Sequence, residues 1–182
     1  MRKVLFIFGL LNDEDVEWMA RVGSLKELGR GAVLIHQGTR LEQLFIVVSG
    51  HMQVTVKGLG SVAELGSGEM LGEMSFVDSA PTSATVTALD EVVYLQLEKK
   101  VLEARFVSDP GFAGRFFKAL AVFLADRLRG TVQRMGYGKG GKLDSDEILE
   151  DELDETALDN VSIAGDRFDR MIRILAGARL EH

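Results

Sequence analysis

The chain has no cysteine. That excludes disulfides, thiolate metal sites and a cysteine nucleophile, and it fits a cytoplasmic protein. Histidine is nearly as scarce: His36, His51 and the terminal His182 are all there is. No apolar run is long enough to span a bilayer. The stretch Met1 to Leu11 is apolar after Arg2-Lys3 but too short, and it has no small-residue cleavage site. It reads as a first strand or short helix that packs on the barrel, and no membrane partner is expected. Basic residues are missing where a nucleic-acid reader would need them. Residues 1–135 carry 15 basic and 16 acidic side chains, and residues 136–182 carry 6 and 12, which places most of the net charge of −7 in the tail. Duplex affinity rests on neutralising phosphates, so no nucleic-acid partner is expected. There is no Walker loop, no nucleophile elbow and no carboxylate pair with a partner base, so the chain reads as non-enzymatic.

What is present is a β-rich text. At 182 residues and 46% apolar the chain can build one domain with a core and an appendage. Asn12-Asp-Glu-Asp15 opens a helix with Asn12 as cap and acidic residues in the first turn, and Gly23 closes it. From Leu25 to Leu97 short runs of Val, Ile and Phe recur at roughly ten-residue spacing between glycines. That rhythm predicts a closed or two-layered antiparallel barrel, mainly β with flanking α. The expected strands are Leu25–Leu28, Ala32–His36, Gln43–Val48, His51–Val56, Ser61–Leu65, Ser83–Ala88 and Glu91–Leu97. A short helix over Glu98–Val107 follows. Asp109-Pro110, a cap and a first-turn proline, opens a long helix to about Met135 with an apolar face of Phe112, Phe116, Phe117, Leu120, Leu124, Leu128 and Met135.

Between two of the strands lies Gly66-Ser-Gly-Glu-Met-Leu-Gly-Glu-Met-Ser-Phe-Val-Asp-Ser-Ala-Pro-Thr-Ser-Ala-Thr-Val86. Gly72 lets the backbone approach a ligand without a Cβ. One helical turn over Glu73–Phe76 would aim free N–H groups at an anion. This stretch resembles the phosphate-binding cassette of the cyclic-nucleotide-binding domain family, best known from catabolite-activator-like sensors. Leu44 to Val56 with its Gly50, and Gly38 after Leu34-Ile-His-Gln, are similar to two further family segments. The resemblance covers about Asn12 to Arg134. It implies a jelly-roll that holds cyclic AMP or cyclic GMP, with ligand contacts from Gly72, Glu73, Met74, Thr82, Ser83 and Ala84. Glu73 would accept from the ribose 2′-hydroxyl, Ser83 and Ala84 would reach the cyclic phosphate through their backbone, and Ser83 could add a hydroxyl near the base. The family's Pro-Arg-Ala/Ser/Thr-Ala pattern is broken here. Thr82 stands where the phosphate-neutralising Arg belongs, which removes a charge-assisted contact of about 1.5–3 kcal/mol and weakens binding by about ten- to a hundred-fold.

Two readings follow. One is a stand-alone bacterial cyclic-nucleotide sensor, dimeric through the 110–135 helix, which also serves as lid. The other is a barrel that binds no nucleotide and acts as a dimerising interaction module. A filled space beside Glu73 favours the second. An open one with a replacement base, Arg40 for example, favours the first. A jelly-roll metalloenzyme of the cupin type is the outside alternative, but His36 and His51 are fifteen apart with no His-x-His, so no metal is expected. After residue 135, Gly136 to Gly141 is a break, and Asp144 to Glu155 holds eight acidic residues in twelve. This 136–155 stretch reads as a linker, or as a strap onto the basic residues Arg115, Lys118, Arg127, Arg129 and Arg134. A last helix over 156–179, with Val161, Ala164, Phe168, Met171 and Leu175 on one side, must pack on something. The tail would carry the contact to an unidentified protein partner. No two-helix motif with a basic recognition helix is present, and residues 180–182 read as a tag remnant.

Overall fold

The computed structural model describes residues 8–78, 80–134 and 155–179. The chain runs through α1 (Asp13–Val22), β1 (Ser24–Leu28), β2 (Val33–Ile35), β3 (Gln43–Ser49), β4 (Met52–Val56), β5 (Gly60–Leu65) and β6 (Met70–Leu71). A 3-10 turn (Glu73–Phe76) follows, then β7 (Thr85–Ala88), β8 (Val92–Glu98), α2 (Lys99–Ser108), α3 (Pro110–Arg134) and α4 (Glu155–Arg179). Two four-stranded antiparallel sheets form, in the orders β1-β8-β3-β6 and β2-β7-β4-β5. Of the closed and two-layered arrangements that the strand rhythm allows, this is the two-layered one, the jelly roll that the resemblance implies, with every expected strand in place.

β3 explains how the layers stack. Successive side chains of a strand point to opposite faces. Phe45 and Val47 enter a core between the sheets with Ile35, Met52, Val86 and Tyr94. Leu44 and Ile46 enter a second core under the helices with Leu95, Leu97, Phe112 and Phe116. The first sheet is therefore covered on both faces, which is why Leu44-Phe-Ile-Val-Val48 is an unbroken apolar run rather than an alternating one.

The helices fasten to this second core. Asn12 caps α1: its carboxamide oxygen accepts from the Asp15 amide at 2.8 Å, and the Asp15 carboxylate accepts from the Asn12 amide at 3.0 Å. The backbone turns extended at Gly23, which ends the helix, and a Cβ there would sit 2.4 Å from Leu95. Asp15 is 1% exposed. Its carboxylate takes Arg115 of α3 in a fork, Nε at 2.6 Å and Nη2 at 2.8 Å. α4 packs on α1 and on Phe8, burying Ala164, Met171 and Leu175, with Phe168 against the Phe8 ring. Arg167 donates to Asp13 and to the Phe8 and Gly9 carbonyls, and Arg170 pairs with Asp13 and Glu17. The N-terminal apolar stretch thus packs as expected at Phe8 and Leu11. Residues 1–7, Met135, the glycine break, and the acidic stretch as far as Asp154 lie outside the described residues, and so does the side chain of Val161.

Two local expectations need correction. β6 was missed, since two residues between glycines carry no strand signal; Met70 and Leu71 pair there with Ile46 and Phe45. On α3, Phe117 is 43% and Leu128 65% exposed, while Phe123 is buried. The core-facing stripe is Phe112, Phe116, Leu120 and Phe123, rotated from the expected one by about a sixth of a turn.

Candidate functional site

A cavity of about 710 Å³ opens between the second sheet, the cassette and the C-terminal half of α3. Its walls are apolar: Ile35, Val54, Val56, Ala63, Leu65 and Val86. Gly72, Glu73, Thr82, Ser83 and Ala84 of the cassette line it too, and α3 contributes Arg127 and Thr131. Leu59, Val62 and Met74 line the cavity too while remaining well exposed. All six residues assigned to ligand contact from the sequence are therefore brought around one void. Neither a bulky side chain nor α4 fills it.

Gly72 has φ +84°, and a Cβ on it would meet the Gln43 carbonyl at 2.5 Å and Leu41 at 2.7 Å. Glycine is thus demanded first by the wall behind the turn, with any closeness to a ligand coming second. The chain then enters the 3-10 turn, where the Ser75 amide and hydroxyl both donate to the Gly72 carbonyl. Glu73 is its first residue and is 3% exposed. Arg127 Nη1 reaches its Oε1 at 2.5 Å, and Arg127 Nη2 donates to the Met70 carbonyl at 3.0 Å. Nη2 also lies 3.8 Å from the Glu69 carboxylate, and the guanidinium sits 4.4 Å over the Phe123 ring. Burial pushes the Glu73 carboxyl above its ordinary range, and the Arg127 charge pulls it part of the way back. Arg127 was read from the sequence only as one basic residue of α3, and its place at this carboxylate was missed. The available signal was its position: it continues the stripe of Phe116, Leu120 and Phe123, so it is a charge on the core-facing side of the helix.

Thr82 lines the cavity, but its hydroxyl is used elsewhere. It donates to the His36 carbonyl at 2.6 Å and accepts from the Thr39 amide at 3.1 Å. The Thr82 backbone clasps the same loop, with its amide donating to the Thr39 carbonyl and its carbonyl accepting from the Gly38 amide, both at 2.8 Å. Arg40 does not line the cavity. Arg127 is the one cationic side chain that does among the described residues, against Glu64, Glu73 and Asp78. His51 hydrogen-bonds Asp90 at 2.7 Å in a turn-to-turn contact. No group of three or more metal-ligating side chains occurs among the described residues.

The model of the cyclic nucleotide-binding domain matches residues 25–109, the two sheets and α2. Over these residues the chain carries a cyclic nucleotide-binding domain. The Pycsar effector protein PaPycTIR of Pseudomonas aeruginosa is 33% identical over 118 residues, which is 64% of this chain and 37% of that protein. The chain therefore spans under two fifths of that relative's length. The N-terminal domain of a transcriptional regulator from Streptomyces coelicolor is 31% identical, with a TM-score of 0.59 over 71% of this chain and 95% of that one. A cyclic nucleotide-binding domain from Methylobacillus flagellatus shares the fold at 22% identity, with a TM-score of 0.66 over 78% and 85%. In this chain the cassette runs from the end of β5 into β7 and contains β6 and the 3-10 turn. No helix among the described residues is long and apolar enough to cross a membrane.

Proposed function

We propose that this protein is a non-enzymatic sensor of a cyclic mononucleotide, cyclic AMP or cyclic GMP, that signals through its C-terminal helices. The observation that carries the reading is the open cavity with a buried carboxylate, Glu73, in its lining and a helix, α3, contributing Arg127 and Thr131 to its wall. Apolar walls suit a base. Glu73 accepts from the ribose 2′-hydroxyl. The cyclic phosphate lies against the Ser83 and Ala84 backbone. Gly72 and Met74 shape the turn beneath and beside it, and Thr82 holds the loop rather than the ligand. The ligand must favour one placement of α3 over another for the signal to pass.

The test is a thermal-unfolding titration of nucleotide-free protein with each 3′,5′-cyclic nucleotide. At about 100 times its dissociation constant a ligand adds roughly 2.7 kcal/mol, or about 5–10 °C for a chain of this length. A saturable shift is expected, and Glu73→Ala should remove it. The absence of a shift with every cyclic nucleotide would overturn the sensor reading in favour of the interaction module.

The exposed side of α3 supports a homodimer. Phe117, Leu128 and Val132 stand in solvent at steps of eleven and four residues, one helical face. Light scattering should give twice the chain mass, and Leu128→Glu should give the monomer mass. A monomeric parent protein would remove the dimer from the proposal. The acidic tail, with α4, is the segment we assign to the protein partner.

A further inference from the structure

The turn that carries Glu73 is tied to the helices by a contact that ligand binding itself does not require. Lys99, the first residue of α2, donates from Nζ to the Ser75 carbonyl in that turn. Its amine also lies 5.4 Å over the Phe76 ring and 4.0 Å from Glu103, and the side chain is only 17% exposed. The Lys99 amide donates to the Glu42 carbonyl at 2.8 Å, next to the Gln43 carbonyl against which Gly72 is wedged. One residue thus grips the back of the turn with its side chain and the wall behind the turn with its backbone. Phe76 continues the path, packing on Phe106 of α2 and Phe116 of α3. Farther along, α3 returns to the cavity with Arg127 on Glu73. The contacts form a closed ring: Glu73, Ser75, Lys99, α2, α3, Arg127.

We propose that Lys99 is a positioning residue for the cavity, a polar latch that fixes the turn bearing Glu73 to α2, so that the turn and helices α2 and α3 shift together. The inference rests on reading the cavity as a ligand site. Backbone carbonyls can be held by any donor, but a buried-stem ammonium at the first position of a helix makes the tie charge-assisted and short-armed. Without it the turn stays joined to α2 and α3 only by ring packing and by the Arg127 pair.

Amide hydrogen exchange on the whole chain tests this with Lys99→Met, which keeps the apolar stem over Phe76, and Lys99→Arg, which keeps the charge. In the ligand-free protein, Lys99→Met should speed exchange of residues 73–78 by about tenfold, with α1 unchanged and Lys99→Arg largely restoring protection. Unchanged exchange at 73–78 would overturn the latch, and loss of protection throughout α1 as well would show a general structural role instead. With saturating cyclic nucleotide, the parent protein should slow exchange in 73–78 and in 99–108 together, whereas Lys99→Met should slow only 73–78. An α2 that responds equally in both overturns the coupling. A parent protein that responds to no nucleotide overturns the ligand reading of the cavity, and the ligand-free comparison then decides Lys99 by itself.

Discussion

Replacing Arg115 by methionine should destabilise the fold by about 3 kcal/mol, the lower end of what removing one partner of a buried ion pair costs. Asp15 is 1% exposed and its carboxylate meets the Arg115 fork and the Asn12 amide. Methionine fills the stem of the arginine but strips the carboxylate of its Arg115 fork, leaving it buried in a cap that must still hold α1. The lower end of the range applies because the Arg115 side chain is 34% exposed, so some water follows the guanidinium out. Urea unfolding should show the midpoint fall with little change in slope, and the thermal midpoint should fall by roughly 6–12 °C. Two comparisons fix the cause. Arg170→Met, whose pairs to Asp13 and Glu17 sit on the surface, should cost no more than about 1 kcal/mol. The double variant Asp15→Asn with Arg115→Met should recover most of the loss, because a neutral amide still accepts from Asn12 without an unpaired buried charge. A cost for Arg115→Met below about 1 kcal/mol would mean that the pair does not hold α1 to α3.

The sheets were legible because their signals are local. Each strand is a short β-branched run closed by glycine, and the cassette is one continuous stretch whose turn at Glu73–Phe76 fell where the residues put it. The six candidate ligand residues were legible for the same reason: they lie within thirteen positions of one another. What was not legible depends on how distant elements meet. Arg127 reaches Glu73 across 54 residues and Arg115 reaches Asp15 across 100. No window of sequence contains both partners. α3 shows the limit most plainly. Its text offers two apolar stripes, one through Phe112, Phe116 and Phe123 and one through Phe117, Leu128 and Val132, and helical periodicity does not say which faces the barrel. Tertiary packing chose the first. Arg127, lying on that first stripe, could have broken the tie, because a core-facing arginine requires a carboxylate and Glu73 was the buried one available. Thr82 is a different case. The resemblance implies a ligand contact from it, and its side chain, being short, donates to a nearby carbonyl, that of His36, which no local pattern announces.

Thr82→Arg should tighten cyclic-nucleotide binding by about ten- to a hundred-fold. The reason is the charge inventory of the cavity. Its described lining offers Glu64, Glu73 and Asp78, and its cation, Arg127, is already held by Glu73 and the Met70 carbonyl. A cyclic phosphate entering now meets backbone amides and carboxylates but no uncommitted positive charge. A guanidinium at position 82 supplies one, and a charge-assisted contact contributes about 1.5–3 kcal/mol, which is the stated gain at 1.4 kcal/mol per decade. The backbone clasp of residue 82 to Gly38 and Thr39 does not depend on the side chain and should survive. The hydroxyl contacts to His36 and Thr39 are lost, which should lower ligand-free stability by about 1 kcal/mol. Calorimetric titration separates the two effects: affinity rises for the cyclic nucleotide while the unfolding midpoint of the free protein falls slightly. The matching nucleoside is the control, because it has the base and the ribose hydroxyl but no phosphate. Its affinity should stay within about twofold of the parent value, since no new charged contact reaches it. An equal gain for nucleoside and cyclic nucleotide would mean that the arginine acts on the loop. No gain for either would move the phosphate away from Ser83 and Ala84. A gain confined to the cyclic nucleotide, and shrinking with added salt, would put the phosphate beside residue 82 and explain the weak binding expected of the parent protein by one missing charge.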